Sequence, residues 1–366
     1  MDQSLPHFAL QSLRLIHFRL FEDESISPSS HLNLITGQNA QGKTTILEAI
    51  SLISTGRVMR GSRDGEAIQS GSDFARVDGI LLGSETKVSV ELAEGKRKKA
   101  LLNDLGLPRA SDLMGRLPTV SFSASDLRIV IGDPSDRRFL LDSELSQLFP
   151  SYLKHLAIYK RGLEQRNALL KQAHDRHVMD HEFEVWEEQM AESGSHLRDS
   201  RIGWVQHVNQ AAMKSQDRLG AGEKLSLQYL VKDEVEDLQM GFVESRRIDI
   251  RRGSTTIGPH RDDIEIFVDG KPAKQFGSQG QQRTAVISIK LAVSQVATET
   301  LGDAPVLLLD DIFSDLDQHR RSRLVSCALE EGGQVFISCT EPEQAGGELI
   351  EQAKVFSVQF GKVTER

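Results

Sequence analysis

The sequence predicts an α/β fold in which one lobe is built from both ends of the chain and a helical arm is inserted between them. Near the N-terminus, a glycine-rich loop at 37–44 stands between an apolar strand and an apolar helix. Near the C-terminus, the aliphatic run 306–309 ends in two aspartates. Between these ends, apolar residues recur at helical spacing from about 145 to 204. We therefore expect an N-terminal half-lobe at 1–122, a helical arm at 123–224 and a C-terminal half-lobe at 225–366.

The glycine-rich loop matches the phosphate-binding pattern G-x-x-x-x-G-K-[ST] through Gly37-Gln38-Asn39-Ala40-Gln41-Gly42-Lys43-Thr44. Glycine is needed at 37 and 42 because backbone N–H groups must approach phosphate oxygens without an intervening side chain. Lys43 would reach the β- and γ-phosphates, the Thr44 hydroxyl would bind Mg²⁺, and Thr45 would complete the loop's contacts. The pattern predicts that the chain binds ATP with Mg²⁺.

The aliphatic run ending in Asp310 and Asp311 predicts the other half of the site. Such a run is typical of a strand buried on both faces, whose carboxyl end opens onto the ligand in α/β sheets. Asp310 would help hold Mg²⁺, and Asp311 would orient or deprotonate the attacking water. A core strand ending in a solvated acidic turn is the alternative, and the phosphate-binding loop at the other end of the chain disfavours it.

A third motif, Ser278-Gln279-Gly280-Gln281-Gln282-Arg283, precedes a long amphipathic helix. It resembles the signature of ABC-type ATPases, and Ser314-Asp315-Leu316-Asp317 resembles their D-loop. In that class the signature residues, here Ser278, Gly280 and Gln281, contact the nucleotide held by a second subunit. The resemblance implies an ATP-dependent homodimer and an ABC-type P-loop ATPase head with an inserted helical arm.

Further stretches narrow the resemblance from the ABC class of ATPases to one family. They are 13–19, Ser54-Thr55-Gly56-Arg57, Ser62-Arg63-Asp64, 159–170 and Gly258-Pro259-His260-Arg261-Asp262-Asp263. With the three motifs above, they resemble the RecF family of bacterial recombination-mediator ATPases, which is related to the SMC proteins. Two departures occur. Ala40 stands where the family usually has glycine, and Phe122-Ser123-Ala124-Ser125-Asp126-Leu127 lacks the usual Pro-Glu, so the residue that serves as the Q-loop is not identified.

The resemblance implies an ATP-closed dimeric clamp at single-strand gaps and double-strand/single-strand DNA junctions. It would act in recombinational repair and replication, recombinase loading and SOS induction, with RecR and RecO as partners. ATP turnover would be slow and stimulated by DNA, serving as a switch. The alternative function is the nucleotide-hydrolysing subunit of an ABC transporter, a class whose second acid is typically Glu and which needs a membrane partner.

Composition limits the DNA-binding surface. The chain has 366 residues and a formal net charge of −9, so a DNA site must be a local basic patch, because nonspecific affinity comes from neutralising phosphates. No apolar stretch approaches the roughly 18 residues that span a bilayer, and no export signal is recognisable. With two cysteines, neither a disulfide framework nor a metal site is indicated. We expect a cytoplasmic protein.

The candidate DNA contacts are Arg57, Arg60, Arg63, Lys160, Arg161 and Arg166, with Lys96-Arg97-Lys98-Lys99 as a further basic run in a predicted hairpin. The basic run could equally be a solvated turn. His260 and Arg261 could lie near phosphate or DNA, or could belong to a hydrogen-bonded turn, and the sequence leaves both open.

Overall fold

The computed structural model describes residues 6–58, 64–174, 178–219, 222–311, 318–330, 332–342 and 347–366. The predicted D-loop at 314–317 and the candidate DNA contacts Arg60 and Arg63 lie outside these ranges. The chain divides into two compact units. The first comprises Met1–Asp126, Lys214–Ala221 and Ile287–Arg366, and the second comprises Leu127–Met213 and Gly222–Val286.

The described strands are β1 Leu10–Phe18, β2 Phe21–Ile26, β3 Leu32–Thr36, β4 Phe74–Leu81, β5 Lys87–Ala93, β6 Lys99–Leu102, β7 Leu105–Gly106, β8 Thr119–Ser123, β9 Leu225–Leu230, β10 Asp263–Val268, β11 Lys271–Pro272, β12 Val306–Asp310, β13 Val335–Cys339, β14 Lys354–Gln359 and β15 Lys362–Glu365.

The described α-helices are α1 Lys43–Thr55, α2 Arg128–Ile131, α3 Pro134–Leu148, α4 Pro150–Gln172, α5 Asp180–Arg218, α6 Leu238–Arg252, α7 Ala273–Phe276, α8 Gln279–Leu301, α9 Gln318–Glu330 and α10 Gly347–Gln352. Helices α5 and α8 contribute residues to both units.

Two sheets and α1 form the first unit. One sheet has the order β15-β14-β3-β13-β12-β8, in which every pair from β14 to β8 is parallel, and the other has the antiparallel order β2-β1-β4-β5-β6-β7. Every residue of β3, β12 and β13 is buried, as expected for central parallel strands with both faces covered. Helix α1 contacts strands of both sheets and is buried over most of its length. The N-terminal and C-terminal parts of the chain therefore share one core.

The second unit is not purely helical. Strands β9, β10 and β11 form a separate three-stranded antiparallel sheet beside α3, α4, α6 and the larger part of α5. The hairpin predicted at Asp269-Gly270 is present between β10 and β11. The predicted boundary at 224/225 is wrong, since the strand signals that return after 224 belong to this small sheet and not to the nucleotide-binding lobe.

Two of the stretches that carry the family resemblance contact each other within the second unit. The Tyr159 hydroxyl, on α4, lies 2.7 Å from Nδ1 of His260, whose Nε2 lies 3.1 Å from the carbonyl oxygen of Thr255. The carbonyl can only accept, so Nε2 carries the proton and Nδ1 accepts from Tyr159. Burial lowers the pKa of His260 to about 4. The histidine is therefore a neutral part of a hydrogen-bonded turn, which answers the question that the sequence left open.

Arg166, seven residues after Tyr159 on α4, is the centre of a buried ion network. Its side chain is 0% exposed. Nε donates to Glu187 at 3.0 Å, and Nη1 donates to Asp249 at 2.7 Å. Nη2 donates to the carbonyl oxygen of Phe242 at 2.9 Å. The guanidinium thus ties α4 to α5 and α6, and its donors are occupied inside the protein.

We predict that Arg166→Ala lowers the free energy of unfolding by about 3 to 5 kcal/mol, because it leaves two buried carboxylates without their shared partner. Urea denaturation at neutral pH, followed by circular dichroism, measures the change. Arg161→Ala is the matched control on the same helix: this arginine is exposed, stacks on Trp186, and should contribute less than about 1 kcal/mol. Equal small losses in both variants would contradict the assigned role of Arg166.

We predict that His260 makes the free energy of unfolding decrease as the pH is lowered. Its pKa in the folded state lies below its ordinary value of 6.5, so the unfolded state takes up the proton first. The contribution of neutral His260 to the free energy of unfolding is complete above about pH 6.5 and is lost as the pH falls toward 4. His260→Gln keeps one donor and one acceptor without titrating. Between pH 7 and pH 5 the parent should lose about 2 kcal/mol more than this variant in urea denaturation. Parallel pH profiles would rule out the buried neutral state.

Candidate nucleotide-binding site

The glycine-rich loop connects the end of β3 to the first residue of α1. Gly37 and Gly42 have φ values of 148° and 115°, in the region that favours glycine. A Cβ on Gly37 would collide with the carbonyl oxygen of Val358, and a Cβ on Gly42 would come within 3.0 Å of the Phe21 ring. Glycine is therefore required at both positions, because another residue would be strained at this φ and its Cβ would crowd neighbouring atoms. Ala40 also has a positive φ, 65°, so alanine at this position costs about 1 kcal/mol relative to glycine.

Lys43 points into the curve of the loop. Nζ donates to the carbonyl oxygens of Gly37 at 2.6 Å and Gln38 at 3.0 Å, and the residue is 7% exposed. Burial lowers the pKa of Lys43, although Asp311 and Asp310 partly oppose this shift. A cation at the start of a helix forms a receptor for an anion, because the N-terminal N–H groups of the helix carry partial positive charge. The side chains of Gln38 and Asn39 are exposed at the rim, and Thr45 is half-buried behind Thr44.

The loop meets the acidic strand directly. The Thr44 hydroxyl donates to Oδ1 of Asp310 at 2.8 Å, across 266 residues of sequence. Asp311 follows on the exposed end of β12 with a φ of 50°. The structure therefore brings together the two motifs that the sequence placed at opposite ends of the chain, and both lie in the first unit.

Ser338, at the end of β13, belongs to the same site and was not identified from the sequence. Its hydroxyl donates to Oδ1 of Asp310 at 2.8 Å and accepts the backbone N–H of Asp311 at 2.9 Å. It fixes the orientation of the first aspartate and the backbone of the second. The sequence did contain a signal for this residue. A serine stands near the end of the apolar run 335–339, and the carboxyl ends of parallel strands meet at one edge of a sheet.

The Thr44 and Asp310 oxygens fit a magnesium ion. Mg²⁺ prefers oxygen ligands and is usually held by one or two protein groups together with phosphate oxygens and water. The hydroxyl and the carboxylate lie at hydrogen-bonding distance at the mouth of the loop. Among the described residues, no cluster of three or more His, Cys, Asp or Glu side chains could hold a metal. The ion would therefore need the nucleotide as a co-ligand.

The segment that lacks the usual Pro-Glu also reaches this edge of the sheet. Ser123 pairs with Asp310 across β8 and β12. Its N–H and hydroxyl donate to Asp126 at 2.6 and 3.2 Å, within a short helical turn at 124–127. Ser123 thus lies next to the acidic strand, and Asp126 is hydrogen-bonded to it.

The signature residues lie at the start of α8, in the second unit. Ser278 accepts the N–H of Gln281 at 3.3 Å, and the Gln281 side chain accepts the N–H of Ser278 at 2.8 Å. This reciprocal pair is a capping box. Gly280 is exposed in the first turn, and nothing within 4 Å would meet a Cβ there. The serine is therefore an N-cap as well as a candidate ligand.

The candidate DNA contacts differ in their surroundings. Arg57 and Arg161 are exposed, and Lys160 is exposed but pairs with Asp142 at 2.9 Å. The prediction for Arg166 is wrong, because its guanidinium is buried in the ion network described above and cannot reach DNA. The run 96–99 lies at the β5–β6 hairpin, where Lys98 pairs with Asp64 at 3.0 Å. Arg261 is exposed.

Comparison with known proteins identifies the family. A family model described as an AAA domain matches residues 12–239. The DNA replication and repair protein RecF of Oceanobacillus iheyensis is 37% identical over 97% of this chain and 99% of that protein. RecF of Bacillus subtilis is 33% identical over 97% of this chain and 100% of that protein.

Solved structures agree with this assignment. A structure of the recombination mediator protein RecF with ATP, from the RecFOR pathway, has a TM-score of 0.90 and 30% identity, with 100% of both chains covered. The Smc head domain of Pyrococcus furiosus shares the fold, with a TM-score of 0.57 and 16% identity over 98% of this chain and 96% of that chain. These structures confirm the predicted fold class. None of the helices in the described parts of the chain is long and apolar enough to cross a membrane. The chain belongs to the RecF family of DNA replication and repair proteins.

Proposed function

We propose that this chain is an ATP-dependent DNA-binding switch of recombinational repair, which closes as a homodimer when ATP is bound and opens after hydrolysis. The observation that carries the proposal is the junction of Thr44 with Asp310, which places a hydroxyl and a carboxylate beside Lys43 in one phosphate-binding site. Relatives named as DNA replication and repair proteins, one of them solved with ATP, support the assignment.

In this proposal, different side chains of the chain bind the phosphates, hold the metal ion and activate the water. Lys43 and the loop N–H groups hold the β- and γ-phosphates, and Thr44 and Asp310 hold Mg²⁺, which supplies charge neutralisation when bound. Asp311 orients and deprotonates the water, and Ser338 keeps the backbone of Asp311 in place.

Ser278, Gly280 and Gln281 complete the site of a second copy. The capping box leaves the exposed first turn of α8 available to an anion, and the Ser278 hydroxyl can still donate while it accepts from Gln281. ATP would thus bind to the loop of one subunit and the α8 N-terminus of the other. Dimerisation and nucleotide state are then linked, because the α8 N-terminus adds contacts to ATP only in the closed form.

The DNA structure proposed is the double-strand/single-strand junction at a gap, with RecR and RecO as partners in loading the recombinase and with a role in SOS induction. This part of the proposal rests on the family and on the relatives' RecFOR pathway. Arg57, Arg161 and Lys160 are the exposed candidate contacts among the described residues. The transporter alternative loses its support, since relatives that match over the full chain are repair proteins. The cytoplasmic location remains a prediction.

We predict that Asp311→Asn lowers ATP turnover by about a hundredfold or more while ATP still binds, because the amide cannot take the proton from water. The variant should stay on a gapped DNA longer than the parent after excess competitor is added, as followed by fluorescence anisotropy with ATP present. Asp73→Asn, at an exposed aspartate of the same unit, should leave both quantities unchanged. A variant that turns over normally, or dissociates as fast as the parent, would contradict the role of Asp311.

We predict that Ser278→Arg binds ATP with near-normal affinity but neither dimerises nor hydrolyses it, because the cation blocks closure while the loop of its own subunit is intact. Lys43→Arg should also be inactive, since a planar guanidinium replaces a compact ammonium among phosphate oxygens. Mixing the two variants forms heterodimers with one intact composite site, so ATP turnover should partly return. Turnover of the mixture equal to the average of the separate variants would refute the intersubunit role of Ser278.

A further inference from the structure

The turn between β14 and β15 contains an aromatic residue that the turn itself does not favour. Gln359 pairs with Lys362, so Phe360 and Gly361 form a two-residue hairpin turn, with φ values of 48° and 72°. Turns with two positive φ values prefer Asn-Gly or Asp-Gly, and a bulky residue at positive φ is an outlier. Phe360 is also 79% exposed. A strained and exposed aromatic side chain calls for a functional explanation.

This turn is attached to the phosphate-binding loop. The Phe360 N–H donates to Oε1 of Gln41 at 2.7 Å, and the Gly361 N–H donates to the carbonyl oxygen of Gln41 at 3.4 Å. A Cβ on Gly361 would collide with the carbonyl oxygen of Leu20, in the β1–β2 turn. Leu20 is itself 51% exposed. The β14–β15 turn therefore lies against the β1–β2 turn beside the loop, and each turn carries an exposed apolar side chain.

The sheet order gives the direction of a bound nucleotide. Asp310 ends β12, which lies on one side of β3 beyond β13, whereas β14 flanks β3 on the other side. In the ATP site proposed above, the terminal phosphate would lie toward Asp310 and Asp311, and the nucleoside end of the ligand would then point toward β14. On that side Gly37, Gln41 and Phe360 help to line a cavity of about 430 Å³, within the size range of small-molecule sites.

We propose that the Phe360 ring is the stacking surface for the adenine base of ATP. The proposal rests on the ATP site proposed above and adds a residue outside its recognised motifs. Stacking a base on an aromatic ring is tolerant of sequence and geometry, and each such contact contributes substantially to binding. The Gln41 hydrogen bond attaches the backbone of the turn to the phosphate-binding loop, so the loop and the turn would form one receptor for the whole nucleotide.

The test compares Mg·ATP with Mg·tripolyphosphate, an inorganic ligand that has the phosphates but no base. Affinities are measured by isothermal titration calorimetry. Phe360→Asn is the informative variant, because asparagine is preferred in this turn and should preserve the hairpin while removing the ring. We expect its ATP affinity to fall about tenfold and its tripolyphosphate affinity to stay unchanged. Phe360→Trp should retain the affinity for ATP.

Leu105→Ala is the matched control, since it removes a side chain that is 75% exposed from β7, at the far edge of the antiparallel sheet. It should bind both ligands like the parent. Equal ATP affinity in Phe360→Asn and the parent would overturn the proposal, as would a loss of dimerisation without a loss of ATP affinity, which would assign Phe360 to a contact between copies.

An equal loss of both ligands in Phe360→Asn would also overturn the proposal, because it would show that the turn only supports the loop. A parent that binds tripolyphosphate as tightly as ATP would overturn it too, since the base would then contribute nothing. A parent that binds neither ligand would instead refute the nucleotide site itself, so the two failures can be told apart.

Discussion

The hydrogen bond between Thr44 and Asp310 is the contact on which the functional account depends. It requires that β3 and β12, from opposite ends of the chain, lie in one parallel sheet with β13 between them. Because parallel strands present their carboxyl ends at one edge, the loop after β3, the aspartates after β12 and Ser338 at the end of β13 necessarily meet. The insertion of a second unit between the two ends of the chain leaves this arrangement intact, since the strands are held by a shared core.

The second unit uses a different kind of stabilisation, with buried ion networks at its centre. Besides Arg166, Arg137 binds Asp263 through both carboxylate oxygens at 2.7 and 3.0 Å, and Arg198 binds Asp262 at 2.8 Å. Such pairs need precise geometry, because each buried charge is costly without its partner. The stretches at 159–170 and 258–263 supply Arg166, Asp262 and Asp263 to these networks, so both stretches have a structural role in this unit.

The sequence predicted those parts of the site that are local patterns. The glycine-rich loop and the aspartate pair each occupy a few consecutive residues, and Thr44 joins them through its hydrogen bond to Asp310. Arg166 was misassigned because its burial depends on Glu187 and Asp249, which are 21 and 83 residues away. Ser338 was missed, and the role we propose for Phe360 was not foreseen, because a serine near the end of a strand and an aromatic residue in a hairpin become informative only when their neighbours are known.

In the proposed switch, nucleotide state controls the association of two copies of the chain, since the loop of one would be completed by the α8 N-terminus of the other. Sedimentation velocity of the unmodified protein, run with ATP, with ADP and without nucleotide, measures this association. We expect a dimer with ATP and a monomer in the other two conditions. The same association state in all three would refute the switch.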